Sequence, residues 1–220
     1  MKQTQRNALS RGRILAGAKD VFSRYGYHAA SMNTICSENQ ISKGIIYHYF
    51  KDKDELYLLC VESTFQAATE YLRTAAETLS GSAEERLNGY FDARIRFFTE
   101  NPQDLGIFAC AVFDPLEHLQ KKIANLRKPF DALNISIFTE MLKSEQLRPG
   151  LDVETIVQDF GMYMDYFNLR FLSEAAAQGS PEEILKKHEE RCHRQLNTLL
   201  YGIIGETHGK KRTMIISSPP

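Results

Sequence analysis

Apolar residues recur along this chain at helical spacing and almost nowhere in the alternation of a half-buried strand. Over residues 6–25, Ile14, Leu15, Ala18, Val21, Phe22 and Tyr25 fall on one stripe. Gly26 stands where such a helix would end in a left-handed residue. Ser31 occupies the N-cap position of a short helix, 31–38. Asn39-Gln40 reads as a turn, and Ser42 caps a second short helix, 42–49. Lys51-Asp52-Lys53-Asp54 breaks the pattern. A long helix is then predicted from about 54 to 79, with Leu56, Leu59, Cys60, Ser63, Ala67 and Tyr71 near one face.

The second part of the chain is punctuated by caps and prolines. Ser80-Gly81-Ser82 reads as a linker, and Ser82 with Glu85 has the spacing of a capping box for a helix running to about Thr99. Asn101-Pro102 and Asp114-Pro115 place proline at the first position of further helices. Pro129 falls inside 116–146, which predicts a break or kink there. Arg148-Pro149-Gly150 is a turn, Asp152 caps a helix to about 177, and 179–183 opens a last one ending near Gly202 or Gly205. Thr213-Met214-Ile215-Ile216 alone has β character. The expected fold is all-α. It has an N-terminal three-helix helix-turn-helix domain (1–55), a larger helical domain (56–205) and a C-terminal tail (206–220).

Composition narrows this picture. At 43% hydrophobic and 25% charged residues the chain has the balance of a globular protein. No apolar run approaches the roughly 20 residues of a membrane span, so no membrane partner is expected. The opening Met1-Lys2-Gln3-Thr4-Gln5-Arg6 has no apolar core of a secretory signal. Cys36, Cys60, Cys110 and Cys192 are widely spaced with no CxxC, which suits buried thiols in a reducing, cytoplasmic setting. The overall charge of −1 hides an asymmetry. Residues 1–53 carry nine Lys/Arg against three Asp/Glu, a net of +6, and the remainder carries −7. A basic head on an acidic body predicts that the head meets a polyanion.

Residues 31–50, SMNTICSENQISKGIIYHYF, form a helix-turn-helix pattern. Ile35 and Cys36 face inward on the first short helix, Ile41 plugs the turn, and Ile46 and Phe50 anchor the second helix. Ser42, Lys43, Gly44, Ile45, Tyr47 and His48 are left outward. That is the small, polar N-terminal end a recognition helix needs to meet base edges. Free N–H groups at its start also suit a phosphate. At position 40 a non-glycine side chain must avoid positive φ or accept strain, and neighbouring Asn39 tolerates the left-handed conformation in its place.

Phe22-(x)3-Gly26-Tyr27, Ile35, Ile41-Ser42-Lys43-Gly44, Tyr47-x-Tyr49-Phe50 and Lys53-x-x-Leu56 together resemble the N-terminal signature of the TetR family of transcriptional regulators. The likeness covers roughly residues 10–60. Two positions depart from it: Gln40 stands where the family usually has Gly, and Cys36 where it usually has Ala. The resemblance implies double-stranded DNA as partner. It implies phosphate contacts from Tyr47 and Lys53, an approach to the backbone by Ser31 and Asn33, and base proximity for Ser42, Lys43 and Gly44. His48 is a further candidate for phosphate or base. Tyr49 and Phe50 are expected in the core.

The resemblance also implies a homodimer and a small-molecule effector held among the central helices. Arg94, Phe97, Phe113, Phe138, Met162 and Tyr166 are the candidate ligand contacts, suited to an apolar or aromatic molecule. Arg94 and Asp165, if buried, would orient a polar end of that ligand or pair with each other. For the dimer interface the candidates are Phe160, Tyr163, Phe167 and Phe171 on one helix. The next helix adds Cys192, Leu196, Leu199, Leu200 and Ile203; the other reading of both stripes is intramolecular core. The expected role is a repressor that leaves a palindromic operator when the effector binds. An activator of the same fold is the alternative.

No HExxH, P-loop, GxGxxG or GxSxG occurs, so no enzyme and no cofactor is expected. His188 and Cys192, four residues apart on one helix, have a spacing that binds transition metals. The run Lys186-Lys187-His188-Glu189-Glu190-Arg191 around them reads as a solvated face, so no metal is expected and a metal-responsive regulator stands as a minor alternative.

Overall fold

A computed structural model describes residues 3–113, 115–175 and 180–203; the side chains of 3–8, Asp165, 168–175, Pro181 and Ile203 also lie outside the description. The tail 206–220, and with it Thr213–Ile216, lies outside, as do the side chains of Phe171 and Ile203 among the interface candidates.

Among the described residues the elements are helices: α1 (Gln3–Ala29), α2 (Met32–Glu38), α3 (Lys43–Tyr49), α4 (Lys53–Glu77), α5 (Ala83–Glu100), α6 (Pro102–Phe113), α7 (Gln120–Lys143), α8 (Val153–Ala175) and α9 (Pro181–Ile203). Their starts are set by local chemistry. Ser31, Ser42, Asp52 and Ser82 each accept a hydrogen bond from the backbone three residues on, satisfying a donor the helix leaves open. Ser82 and Glu85 complete a full capping box.

Three expectations change. Gly26, with φ 70 and ψ 172, ends the first helical segment of α1 as expected and a second short segment follows to Ala29, but Tyr25, expected on the inward stripe, is exposed. The buried face of α4 is turned from the expected one: Leu56, Tyr57, Cys60, Val61, Thr64, Phe65, Ala68 and Leu72 are inside, while Ala67 is exposed. Helix α7 runs unbroken through Pro129, with Glu117–Leu119 forming a 3-10 turn before it. Proline removes one donor from the interior of α7, but Phe130 and Phe138, buried beyond it, hold the helix against the body.

Helices α1–α3 wrap Ile14, Ala18, Val21, Phe22, Ile35, Ile46 and Phe50 into a core that continues without a gap into the body through Leu56, Tyr57 and Cys60 of α4. The head is also clamped from the side by α6. Lys19 pairs with Asp104 at 2.6 Å, and Thr64 donates to the same carboxylate oxygen at 2.5 Å. Two residues further on, a Cβ on Gly106 would stand 2.8 Å from the Cα of Ser23, so only glycine lets the two backbones meet this closely.

Candidate DNA interface and effector cavity

The helix-turn-helix is built by short-range bonds. The N–H of Ile41 donates to the carbonyl of Cys36 at 2.9 Å, closing the turn between α2 and α3. Gln40 itself takes the left-handed conformation, with φ 53, while Asn39 stays at φ −105. The expectation that Asn39 would carry positive φ is therefore corrected. Its amide is engaged elsewhere, donating to Ile35 O at 3.1 Å and Gly17 O at 3.4 Å. That tie fastens α2 to α1, and a Cβ at Gly17 would strike the Asn39 side chain at 2.5 Å.

On α3, Ile46 is buried and Ser42, Lys43, Gly44, Ile45, Tyr47 and His48 are exposed, so the candidates named from sequence share one surface. Tyr47 is 54% exposed on the same outward face. Tyr49 is half-buried and meets His48 edge-on, and Phe50 is core. Asn33 is exposed at the start of α2; Ser31 serves α2 as its N-cap, accepting from the N–H of Thr34 at 3.0 Å. The ammonium of Lys53 donates to the carbonyls of Tyr27 at 2.9 Å and Ala30 at 3.0 Å and lies 4.0 Å from the Tyr27 ring centre. Two of its three protons thus hold the α1–α2 junction to α4, which leaves at most one for a phosphate.

The charge of the head is also redistributed. Lys19 is engaged by Asp104, and Arg24 by Asp20 and Glu38. Lys43 and Lys51 remain exposed on either side of α3. The net charge of the head thus overstates its free positive charge, which includes Arg11 and Arg13, also exposed on α1.

A partly open cavity of about 230 Å³ lies between α5, α6, α7, α8 and α9. Of the six ligand candidates, Arg94 and Phe138 line it. Phe97 packs against Tyr71 and Phe98, and Phe113 against Phe108 and His188. Met162 and Tyr166, at 65% and 61% exposure, face away on the outside of α8. The stripes considered for a dimer interface turn inward: Phe160, Phe167, Cys192, Leu196 and Leu200 are buried within the chain, and Tyr163 and Leu199 are partly buried against the same core. Those buried side chains complete this chain's own core, which is the other of the two readings the sequence allowed.

Sequence reasoning missed the polar centre of this cavity. His188 and Glu189 are buried, not solvated. Glu189 accepts from Arg94 Nη2 at 2.9 Å, and His188 Nδ1 lies 3.2 Å from the same oxygen. Arg94 reaches Asn134 as well, at 3.3 Å, and the Tyr90 hydroxyl donates to that same amide oxygen. The partner of Arg94 is thus Glu189; Asp165 lies outside the described side chains. Burial alone would raise the proton affinity of Glu189, but Arg94 and His188 outweigh it and hold the carboxyl below its ordinary range. Burial pushes the Cys192 thiol up to about 12, which makes it a poor metal ligand and a poor nucleophile. No cluster of three metal-binding side chains occurs among the described residues. The signal for the polar centre was present in the spacing, since 188 and 189 fall between Leu185 and Cys192 on the inward stripe.

Comparison with known proteins agrees with this geometry. Residues 14–60 match the domain model for bacterial regulatory proteins of the tetR family. The chain is 32% identical over 93 residues to the HTH-type transcriptional activator FasR of Mycolicibacterium smegmatis, covering 42% of each protein. It is 47% identical over 47 residues to the HTH-type transcriptional regulator UidR of Escherichia coli, covering 21% of this chain and 24% of that one. Each match thus spans less than half the length of the relative. Over the whole fold, a TetR-family transcriptional regulator of Pectobacterium atrosepticum superposes with a TM-score of 0.62 at 18% identity, covering 94% of this chain and 100% of that one. The transcriptional regulator FadR of Bacillus subtilis, solved in complex with stearoyl-CoA, gives 0.58 at 18% identity over 81% and 95%. Residues 14–60 thus match the DNA-binding domain of bacterial regulatory proteins of the tetR family, and the chain as a whole shares the helical fold of regulators solved under that family name.

Proposed function

We propose that this protein is a repressor that binds a palindromic operator as a homodimer and leaves it when a small molecule fills the cavity of the body. The observation that carries the DNA reading is the outward face of α3, where Lys43, Gly44, Ile45, Tyr47 and His48 stand exposed on a helix whose opposite side is locked by Ile46. Ser42, Lys43 and Gly44 meet base edges, Tyr47 and the remaining proton of Lys53 meet phosphates, and Ser31 and Asn33 lie along the neighbouring backbone. One helix of seven residues reads only a few base pairs, so specificity needs a second head related by a two-fold axis. Met162 and Tyr166, one turn apart and exposed on α8, give the partner an apolar patch to cover.

Helix α6 supplies the link between effector and DNA. Its Asp104 and Gly106 grip α1, and its Phe108 and Val112 line the cavity. A molecule that pushes on Phe108 and Val112 shifts the α1 it holds, and with it the spacing of the two heads. Effector and DNA then oppose each other, typically by about 1–3 kcal/mol.

Selection of bound sequences from a random DNA pool tests the reading. The expected outcome is an inverted repeat with half-sites one helical turn apart, or a multiple of it. Enrichment of a single half-site, or of no sequence, would contradict it.

A further inference from the structure

Between Met32 and Tyr49 the aliphatic side chains are sorted sharply. Met32, Ile35 and Ile46 are buried and Ile41 is half-buried, while Ile45 on α3 is 46% exposed. At about 100° of rotation per residue, Gly44 and His48 face away from buried Ile46, and Ile45 and Tyr47 stand on the two flanks. Leaving one isoleucine in water costs the free chain little, since single exposed apolar residues are ordinary. Its consequence comes when this surface is covered.

Isoleucine offers no hydrogen bond, and branching at Cβ leaves it few rotamers, so it presents a fixed apolar knob. Gly44 beside it carries no side chain, and a Cβ there would meet nothing within 4 Å, so the surface next to Ile45 is low and open. The major groove offers such a knob one apolar group. Guanine, adenine and cytosine present donors and acceptors at their edges, and thymine alone adds a C5-methyl. Against a polar edge Ile45 would strip water from a group it cannot hydrogen-bond, an unfavourable exchange. Against the methyl, apolar surface leaves water on both sides.

We infer that Ile45 is a specificity-determining residue that reads thymine, by contact with its C5-methyl, at one position of each half-site. This rests on α3 being the DNA-reading helix. In the test, the operator selected from the random pool is resynthesised with deoxyuridine in place of each half-site thymine in turn, in both half-sites together. Deoxyuridine keeps every hydrogen-bonding atom and lacks only the methyl. Binding to the full chain is followed by fluorescence anisotropy for wild type, Ile45→Val and Ile45→Ser; the site is exposed, so both variants are expected to keep the fold. One position is expected at which deoxyuridine weakens wild-type binding by about fourfold per half-site, roughly fifteenfold for the dimer, from about 0.8 kcal/mol per buried carbon. Ile45→Val is expected to keep that sensitivity. Ile45→Ser is expected to bind the thymine and deoxyuridine operators alike, whereas a merely structural role would weaken both and leave their ratio intact. Undiminished sensitivity in Ile45→Ser, or wild-type binding that no deoxyuridine position alters, would overturn the inference and leave DNA binding by α3 standing. Failure of the wild type to select or bind any operator would overturn that reading, and the inference with it.

Discussion

Helices α3 and α9 teach opposite lessons about charged sequence. In α3 the polar residues of Lys43–Tyr49 point outward as the helical period requires, and only Ile46 is buried. In α9 the run Lys186–Arg191 looks more solvated, with six consecutive polar or charged residues, yet His188 and Glu189 sit in the core opposite Arg94. Local bonds fix the first helix: a serine cap, a closed turn and one anchor. The second is fixed from a distance, by an arginine ninety-five positions earlier in the chain. A polar surface is legible from its own neighbours, whereas the inward spacing of Glu189 makes physical sense only once its distant partner is known.

Breaking the partnership gives the largest expected effect. Arg94→Leu leaves Glu189 as an unpaired buried carboxylate, and a loss of about 3–5 kcal/mol is expected in urea unfolding at neutral pH. Arg94→Met with Glu189→Leu removes both charges and is expected to recover most of that loss, because hydrophobic residues replace buried ion pairs at little cost. If the double variant is no more stable than the single one, the pair does not act as a unit. The pH dependence has a definite sign. The folded-state pKa of Glu189 lies below the ordinary 4.5, so its contribution is fully present above the unfolded value and is lost as pH falls through the depressed folded one. Stability owed to this pair is expected to be flat from pH 7 down to about pH 5 and to fall only in stronger acid.

A smaller effect sharpens the other side of the comparison. Gln40 adopts φ 53 between α2 and α3, where glycine would sit without strain. Gln40→Gly is expected to raise thermal stability by up to about 1 kcal/mol with the exposed residues of α3 unmoved. A loss of stability would mean that the glutamine side chain supplies something the turn needs.

The residues themselves show how far sequence reaches. Ser31, Ser42 and Ser82 were readable as caps because capping is a contact between residues three apart. The exposed face of α3 followed from the same local period. Pro129 was misleading because packing of Phe130 and Phe138 overrides a local helix-breaking preference. Met162 and Tyr166 were assigned inward on composition, but the turn of α8 carries them out while Phe160 and Phe167 go in. The Arg94–Glu189 pair and the Lys19–Asp104 clamp join distant parts of the chain, and although spacing puts Glu189 on the inward stripe, no local pattern names the partner of either carboxylate.

The central claim is that α3 meets DNA electrostatically and by hydrogen bonds. Its most direct test is fluorescence anisotropy on the selected operator across a salt series, for wild type, Lys43→Ala and Tyr47→Phe. If a dimer contacts about 6–8 phosphates, log K is expected to fall against log salt with a slope of roughly −5 to −7. Lys43→Ala should weaken binding and relax the preference at the base pairs it meets, and Tyr47→Phe should weaken binding at every salt concentration with the slope unchanged. Wild-type slope and affinity in both variants would contradict the account and place the DNA-contacting surface elsewhere on the molecule.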